Sequence, residues 1–269
     1  MTLRPSLTAV LVAAGTAIAL AACGGTNTPA SSPPSTSSAA TSTAALKGTV
    51  NVFAAASLQE SFTALKKQFE AAHPAVTVTP NFGASSALAQ QINQGAPADV
   101  FASASQTNMD QVVQAGGAVS STAFAKNVME IAVPPANPAA IAGLNDLAKP
   151  GVKVALCQSQ VPCGSVAAKV FANAKITVTP VSQEADVKAV LTKVQLGEVD
   201  AGVVYITDVK AAGDKVKGIE IAGEVNASTS YPIAALTKAP NLDAAAAFVA
   251  YVMSAEGKAV LAAGGFATP

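Results

Sequence analysis

Beyond Arg4 the chain has no arginine. A guanidinium fork is the usual grip on a carboxylate or phosphate, so ligands that depend on two parallel hydrogen bonds lose ground, although lysine can still act as a point charge. Histidine occurs once, as His73 before Pro74, and neither a histidine-based metal site nor a Ser-His-Asp triad finds its other members nearby. Tryptophan is absent and aromatic residues make up 4% of the chain, so the core is built from small side chains, chiefly alanine and valine, which suits helices laid on a sheet. Sixteen basic and sixteen acidic residues cancel. No basic patch or stripe of interleaved aromatic and basic residues is present, and nucleic acid is not an expected partner.

What is present begins with an export signal. Arg4 precedes an apolar run from Leu7 to Ala22 that closes on small residues before Cys23, a secretory layout too short to cross a bilayer comfortably. Leu20-Ala21-Ala22-Cys23 resembles the lipobox of bacterial lipoproteins, which implies cleavage after residue 22 and acylation of Cys23, so that a lipid anchors the mature chain to the outer face of the cell membrane. Residues 24 to 45 carry no charge and almost no large apolar side chain. They cannot bury enough surface to offset the entropy of ordering, and residues 23–47 read as a lipidated cysteine and its tether. Cys157 and Cys163 remain. In an exported chain two such thiols form a disulfide more often than a metal or redox site, and a bridge is expected.

The body alternates short apolar strands with helices. Gly48 to Ala54 reads as a strand, and Ser57-Leu58-Gln59-Glu60 after it fits a capping box, with Leu58, Phe62, Leu65 and Phe69 following at helical spacing. Strands at 76–79 and 99–102 alternate with helices at 86–93 and 106–114. A longer strand at 127–133 leads to a second series: strand 152–156, helices 165–174 and 187–196, strands 201–206 and 218–221. Strand 231–236 and helices 242–253 and 256–263 complete the chain. Such a series gives a sheet covered on both faces, here in two lobes: 48–126 plus 236–269, and 127–235.

Loops at Ala54 to Ser57, Gly83 to Ser86, Pro162 to Ser165 and Ala185 to Val187 each open a helix. Four helix N-termini aimed at one cleft would hold an anion with no formal positive charge. The chain from Thr49 to Pro269 resembles the periplasmic molybdate-binding proteins, members of the type II periplasmic-binding fold, in VNVFAAASLQESF, NFGASSALAQQINQGAPADVFASA, VPCG, EADVKAVL and GVVYITD. The resemblance implies an α/β protein with its ligand cleft between two lobes. It also implies ligand contacts at the hydroxyls and amides of Ser57 and Ser85, the amides of Cys163 and Val187, and the hydroxyl of Tyr205. Cys163 departs from the family, which often has alanine there, but a backbone donor tolerates the change.

The function expected is that of the solute-binding component of an ABC importer, a monomer and not an enzyme, that binds molybdate or tungstate and presents it to a permease and its ATPase. Molybdenum would enter only as the oxyanion, with no cofactor. Alternatives are another tetrahedral oxyanion such as sulfate, a serine hydrolase using Ser57, for which the G-x-S-x-G elbow is missing, and an iron carrier. The last would want clustered tyrosines, whereas Tyr205, Tyr231 and Tyr251 are scattered along the sequence. Asp99 and Asp186 read as caps, because a carboxylate facing a dianion would repel it.

Overall fold

The computed structural model describes residues 45–269. The signal at 1–22, Cys23 and most of the tether at 23–47 lie outside the described residues. Nine strands form one mixed sheet in the order β2-β1-β3-β9-β4-β7-β5-β6, with β8 also on β4. In chain order these are β1 (Gly48–Ala55), β2 (Val76–Gly83), β3 (Val100–Ala102), β4 (Thr122–Val133), β5 (Val154–Cys157), β6 (Ser182–Glu184), β7 (Ala201–Tyr205), β8 (Lys217–Glu220) and β9 (Ser228–Ala235). The helices are α1 (Gln59–Ala72), α2 (Ser85–Asn93), α3 (Gln106–Gln114), α4 (Pro162–Ala174), α5 (Val187–Gln195), α6 (Ile206–Ala212), α7 (Leu242–Met253) and α8 (Ala255–Ala263).

The first series is parallel as expected: β1 lies between β2 and β3 in parallel register. In the second, β5 lies parallel between β6 and β7. β4 belongs to both halves, because residues 122–128 pair with β9 whereas 129–133 pair with β7 and β8. It starts five residues earlier than the apolar run at 127–133 indicates. β9 runs antiparallel to β3 through Val100↔Ala235 and Phe101↔Ala234. Its C-terminal half therefore lies beside the first series, although the expected boundary at 235/236 grouped it with the second.

Each half has its own core. Phe62, Phe69 and Phe248 pack edge to face between α1 and α7, with ring centroids 5.2 to 6.1 Å apart. In the other half Val190 and Val194 of α5 stand over β5 and β7, and Gly202 is needed there because a Cβ would lie 2.7 Å from Val190. The valine- and alanine-rich composition thus allows α5 to approach the sheet closely, which sets where its N-terminus points.

The expected capping box at Ser57 does not form. Ala56–Leu58 make a single 3-10 turn before α1, and no side chain caps either helix start. Both partners are engaged elsewhere: the Ser57 hydroxyl meets Tyr231 at 2.8 Å, and Glu60 reaches Lys188. Asp186 does cap α5, its Oδ1 accepting from the amides of Lys188 and Ala189. Asp99, fully buried, is a strand-to-loop clamp, accepting from the amides of Asn51 and Asn241.

Candidate functional site

The C-terminal ends of β1, β2, β5 and β7 meet at one small cavity, at the strand edge where open α/β sheets place their ligands. Ser57, Ser85, Cys163, Val187 and Tyr205 all line it, so the five residues singled out in the sequence come together. Ala55, Ala56, Gly83, Ala84, Ala104, Pro162 and Asp186 complete the wall. The cavity is small, about 20 Å³.

Local sequence explains why donors face inward. The first amides of a helix have no intrahelical acceptor. In α5 the Asp186 carboxylate takes those of Lys188 and Ala189 but not that of Val187, the residue that lines the cavity. In α4, Pro162 at the first position has no N–H to offer, and Cys163 supplies the next one. The start of α4 is held tightly: Cys163 is bridged to Cys157 at the end of β5, and a Cβ on Gly164 would lie 2.0 Å from the Gln158 carbonyl oxygen. The predicted disulfide is therefore present and fixes a cavity wall.

The hydroxyls are buried and oriented. Ser85 Oγ accepts from the Ala104 amide at 2.9 Å, so its own hydrogen is free to point away from that bond. Ser57 Oγ is 2.8 Å from Tyr231 Oη. Tyr205 Oη is buried and has no hydrogen-bond partner among the described residues. Burial first, and then the nearby Tyr231 and Asp208, push the Tyr205 phenol well above its ordinary pKa, so it stays protonated and can donate. A buried donor without an acceptor is costly, and a bound anion removes that cost.

No lysine lines the cavity; the one formal charge on its wall is Asp186, whose Oδ1 is occupied by two amides. Lys188 pairs instead with Glu60 of α1, 2.8 Å away, and with the buried Asp208 of α6, 3.0 Å away. Sequence reasoning missed this triad, whose members lie up to 148 residues apart in the numbering. It also missed the neighbourhood of Tyr205 and Tyr231, whose rings stand 6.2 Å apart: two of the three tyrosines scattered in sequence are adjacent in space, because β9 returns beside β4. Tyr251 stays apart, bonded to Gln68. His73 packs at a tilt against Phe69 at the end of α1 and is not part of the cavity. Among the described residues no group of three or more His, Cys, Asp or Glu is placed to hold a metal ion.

A family model described as bacterial extracellular solute-binding protein matches residues 50–267. The chain belongs to this family. Among the relatives of this solute-binding protein, the molybdate-binding protein ModA of Mycobacterium tuberculosis is 43% identical over 263 residues, spanning 96% of this chain and 97% of the relative. Among solved structures, the substrate-binding domain of a putative molybdenum ABC transporter from Clostridium difficile is 30% identical with a TM-score of 0.62, covering 82% of this chain and 99% of that one. The sulfate-binding protein SubI from Mycobacterium tuberculosis shares the fold, with a TM-score of 0.73 at 19% identity over 82% of this chain and 86% of that one.

Proposed function

We propose that this solute-binding protein captures molybdate, and also tungstate, for an ABC importer, and that acylation of Cys23 anchors it to the outer face of the cell membrane. The observation that carries the reading is the convergence of Ser57, Ser85, Cys163, Val187 and Tyr205 on one small cavity in which Tyr205 Oη lacks an acceptor. Every group assigned to the ligand is a donor, which suits a fully deprotonated dianion and disfavours a ligand that carries an OH. Hydrogen bonds to a charged partner contribute about 1.5 to 3 kcal/mol each. Several of them, less the cost of dehydrating the anion, are compatible with the roughly −8 to −12 kcal/mol of micromolar to nanomolar binding. The relatives named for molybdate support the choice of anion.

In this reading the two halves of the sheet act as lobes that part and close, with β4 and β9 as the strands through which the chain passes between them. The closed monomer then docks on the permease. Calorimetric titration of the lipid-free protein with molybdate, tungstate, sulfate and phosphate tests the assignment. Tight binding of molybdate and tungstate, with sulfate and phosphate far weaker, is the expected result; preferential binding of sulfate would reassign the ligand.

A further inference from the structure

Behind Ser57, outside the cavity wall, lies a directed chain of hydrogen bonds. Its direction is set at Asn127 on β4. Asn127 Oδ1 is 3.0 Å from the Val128 amide, which can only donate, so the other end of the side chain must be the NH2. That NH2 donates to Thr207 Oγ1 at 2.8 Å and, more weakly, to Tyr231 Oη at 3.4 Å. With its oxygen accepting from Asn127, the Tyr231 phenol is placed to donate its hydrogen to Ser57 Oγ, 2.8 Å away. The Ser57 oxygen is then an acceptor in that bond, and its own hydrogen is left for the cavity. The side chains of Ser57, Asn127, Thr207 and Tyr231 are all buried, which limits competition from water for these bonds.

We infer that Tyr231 is a positioning residue for the anion site: it holds Ser57 in the orientation that donates, and Asn127 fixes the direction of the Tyr231 hydroxyl. This rests on the molybdate reading above, and deepens it by adding two residues that line no part of the cavity. The placement gives the relay a second consequence. Asn127 and Tyr231 sit on β4 and β9, next to each other in the antiparallel register (Asn127↔Thr229, Ala125↔Tyr231), whereas Ser57 precedes α1. The Ser57 hydroxyl therefore takes its orientation from the pair of strands that join the two halves of the sheet.

The test is a double-mutant cycle read by calorimetry with sodium molybdate on the lipid-free protein. Tyr231→Phe keeps the ring that packs edge to face on Phe124 and Phe266 and removes only the hydroxyl. It is expected to weaken molybdate binding about three- to tenfold in the wild-type background, the range of one misdirected hydrogen bond, and to have no further effect in a Ser57→Ala background. Asn127→Ala is expected to follow the same pattern with a smaller loss, and carries the cycle if Tyr231→Phe does not fold. A merely structural role would give the same loss with or without the Ser57 hydroxyl, so additive effects overturn the inference, as does unchanged affinity in Tyr231→Phe. If wild-type protein binds sulfate but not molybdate, the ligand assignment fails while the cycle, repeated with sulfate, still decides the relay. If it binds none of the four anions, both fall.

Discussion

The ammonium of Lys188, one residue beyond Val187 on α5, lies 2.8 Å from a carboxylate oxygen of Glu60, three residues beyond Ser57. The pair thus joins the two helix starts that form opposite walls of the cavity, one from each half of the sheet. Burial disfavours the Lys188 charge, but Asp208 and Glu60 outweigh it and raise its pKa, keeping it charged. In the lobe closure proposed above, an ion pair placed this way forms only when the walls are together. Glu60 is half exposed, and such pairs contribute at most about 1 kcal/mol. Glu60→Gln is accordingly expected to speed molybdate release by up to about fivefold with little change in association, measured by stopped-flow displacement. An unchanged release rate would show that the pair does not hold the closed form.

Asp208, the third member, titrates unusually. Burial raises its carboxyl to about 6, against the opposing pull of the Lys188 charge. A carboxyl whose folded pKa exceeds the unfolded value binds more protons when folded, so its proton-linked stability is complete below the ordinary aspartate value of 3.8 and is lost as pH rises to about 6. The span corresponds to about 3 kcal/mol. Asp208→Asn should remove this slope, and chemical denaturation of the two proteins from pH 4 to 7 checks it. Parallel stability curves across that window would contradict a raised Asp208.

Ser57→Ala and Ser85→Ala are each expected to weaken molybdate binding by about 1.5 to 3 kcal/mol, since each removes a donor to a buried dianion. Both should also lose stability, because Ser57→Ala leaves the buried Tyr231 hydroxyl without its 2.8 Å partner. Ser85 also accepts from the Ala104 amide, and its loss leaves that buried N–H without a partner, costing about 1 to 3 kcal/mol of folding free energy. Titration and thermal melts on the same samples separate the effects; unchanged affinity in both variants removes the serines from the site.

Much of this arrangement was legible in the chain, and the exceptions have physical reasons. The helix starts at Ser85 and Val187 were visible to within a residue because turn residues and apolar periodicity agree there, whereas α4 begins at Pro162, three residues before the expected 165. The three-residue strand β6, Ser182–Glu184, was not visible, because it pairs only with β5 at the sheet edge and consists of polar residues. Helix α6 was hidden by the apolar run that continues from β7 into Ile206. What breaks the strand is the Asp208 carboxylate accepting from the Tyr205 amide, a signal present in the sequence only as an acidic residue three positions on. Ser57 misled in another way: its pattern with Glu60 fits a local cap, but distant partners, Tyr231 and Lys188, claim both side chains. Contacts of such long separation leave no periodic mark.

The disulfide offers a test of rigidity in the cavity wall. Cys157 and Cys163 are six positions apart, and closing so short a loop contributes about 2 kcal/mol in the chain-entropy model. Replacing both with alanine is expected to lower stability by that order and to weaken molybdate binding several-fold, because the Cys163 amide loses its tie to β5. Under non-reducing conditions the folded, lipid-free protein should show no free thiol. Two reactive thiols per molecule would refute the bridge.

The absence of lysine and arginine from the cavity wall gives the last prediction. Ionic screening acts chiefly on exposed formal charges, with a Debye length of about 10 Å at 0.1 M salt. A site made of amides and hydroxyls presents few such charges to a salt solution. Raising chloride from about 50 to 500 mM should therefore change the molybdate dissociation constant by less than roughly threefold, where a site of exposed cationic groups would lose affinity steeply. Lys188 does not alter the expectation, because its charge is already matched by Glu60 and Asp208 and it does not line the cavity. Tyrosine emission can follow the titration, since tryptophan is absent and the buried Tyr205 lines the cavity. A tenfold or greater loss of affinity over that range would mean that lysines carry the binding, and would overturn the assignment of the helix N-termini.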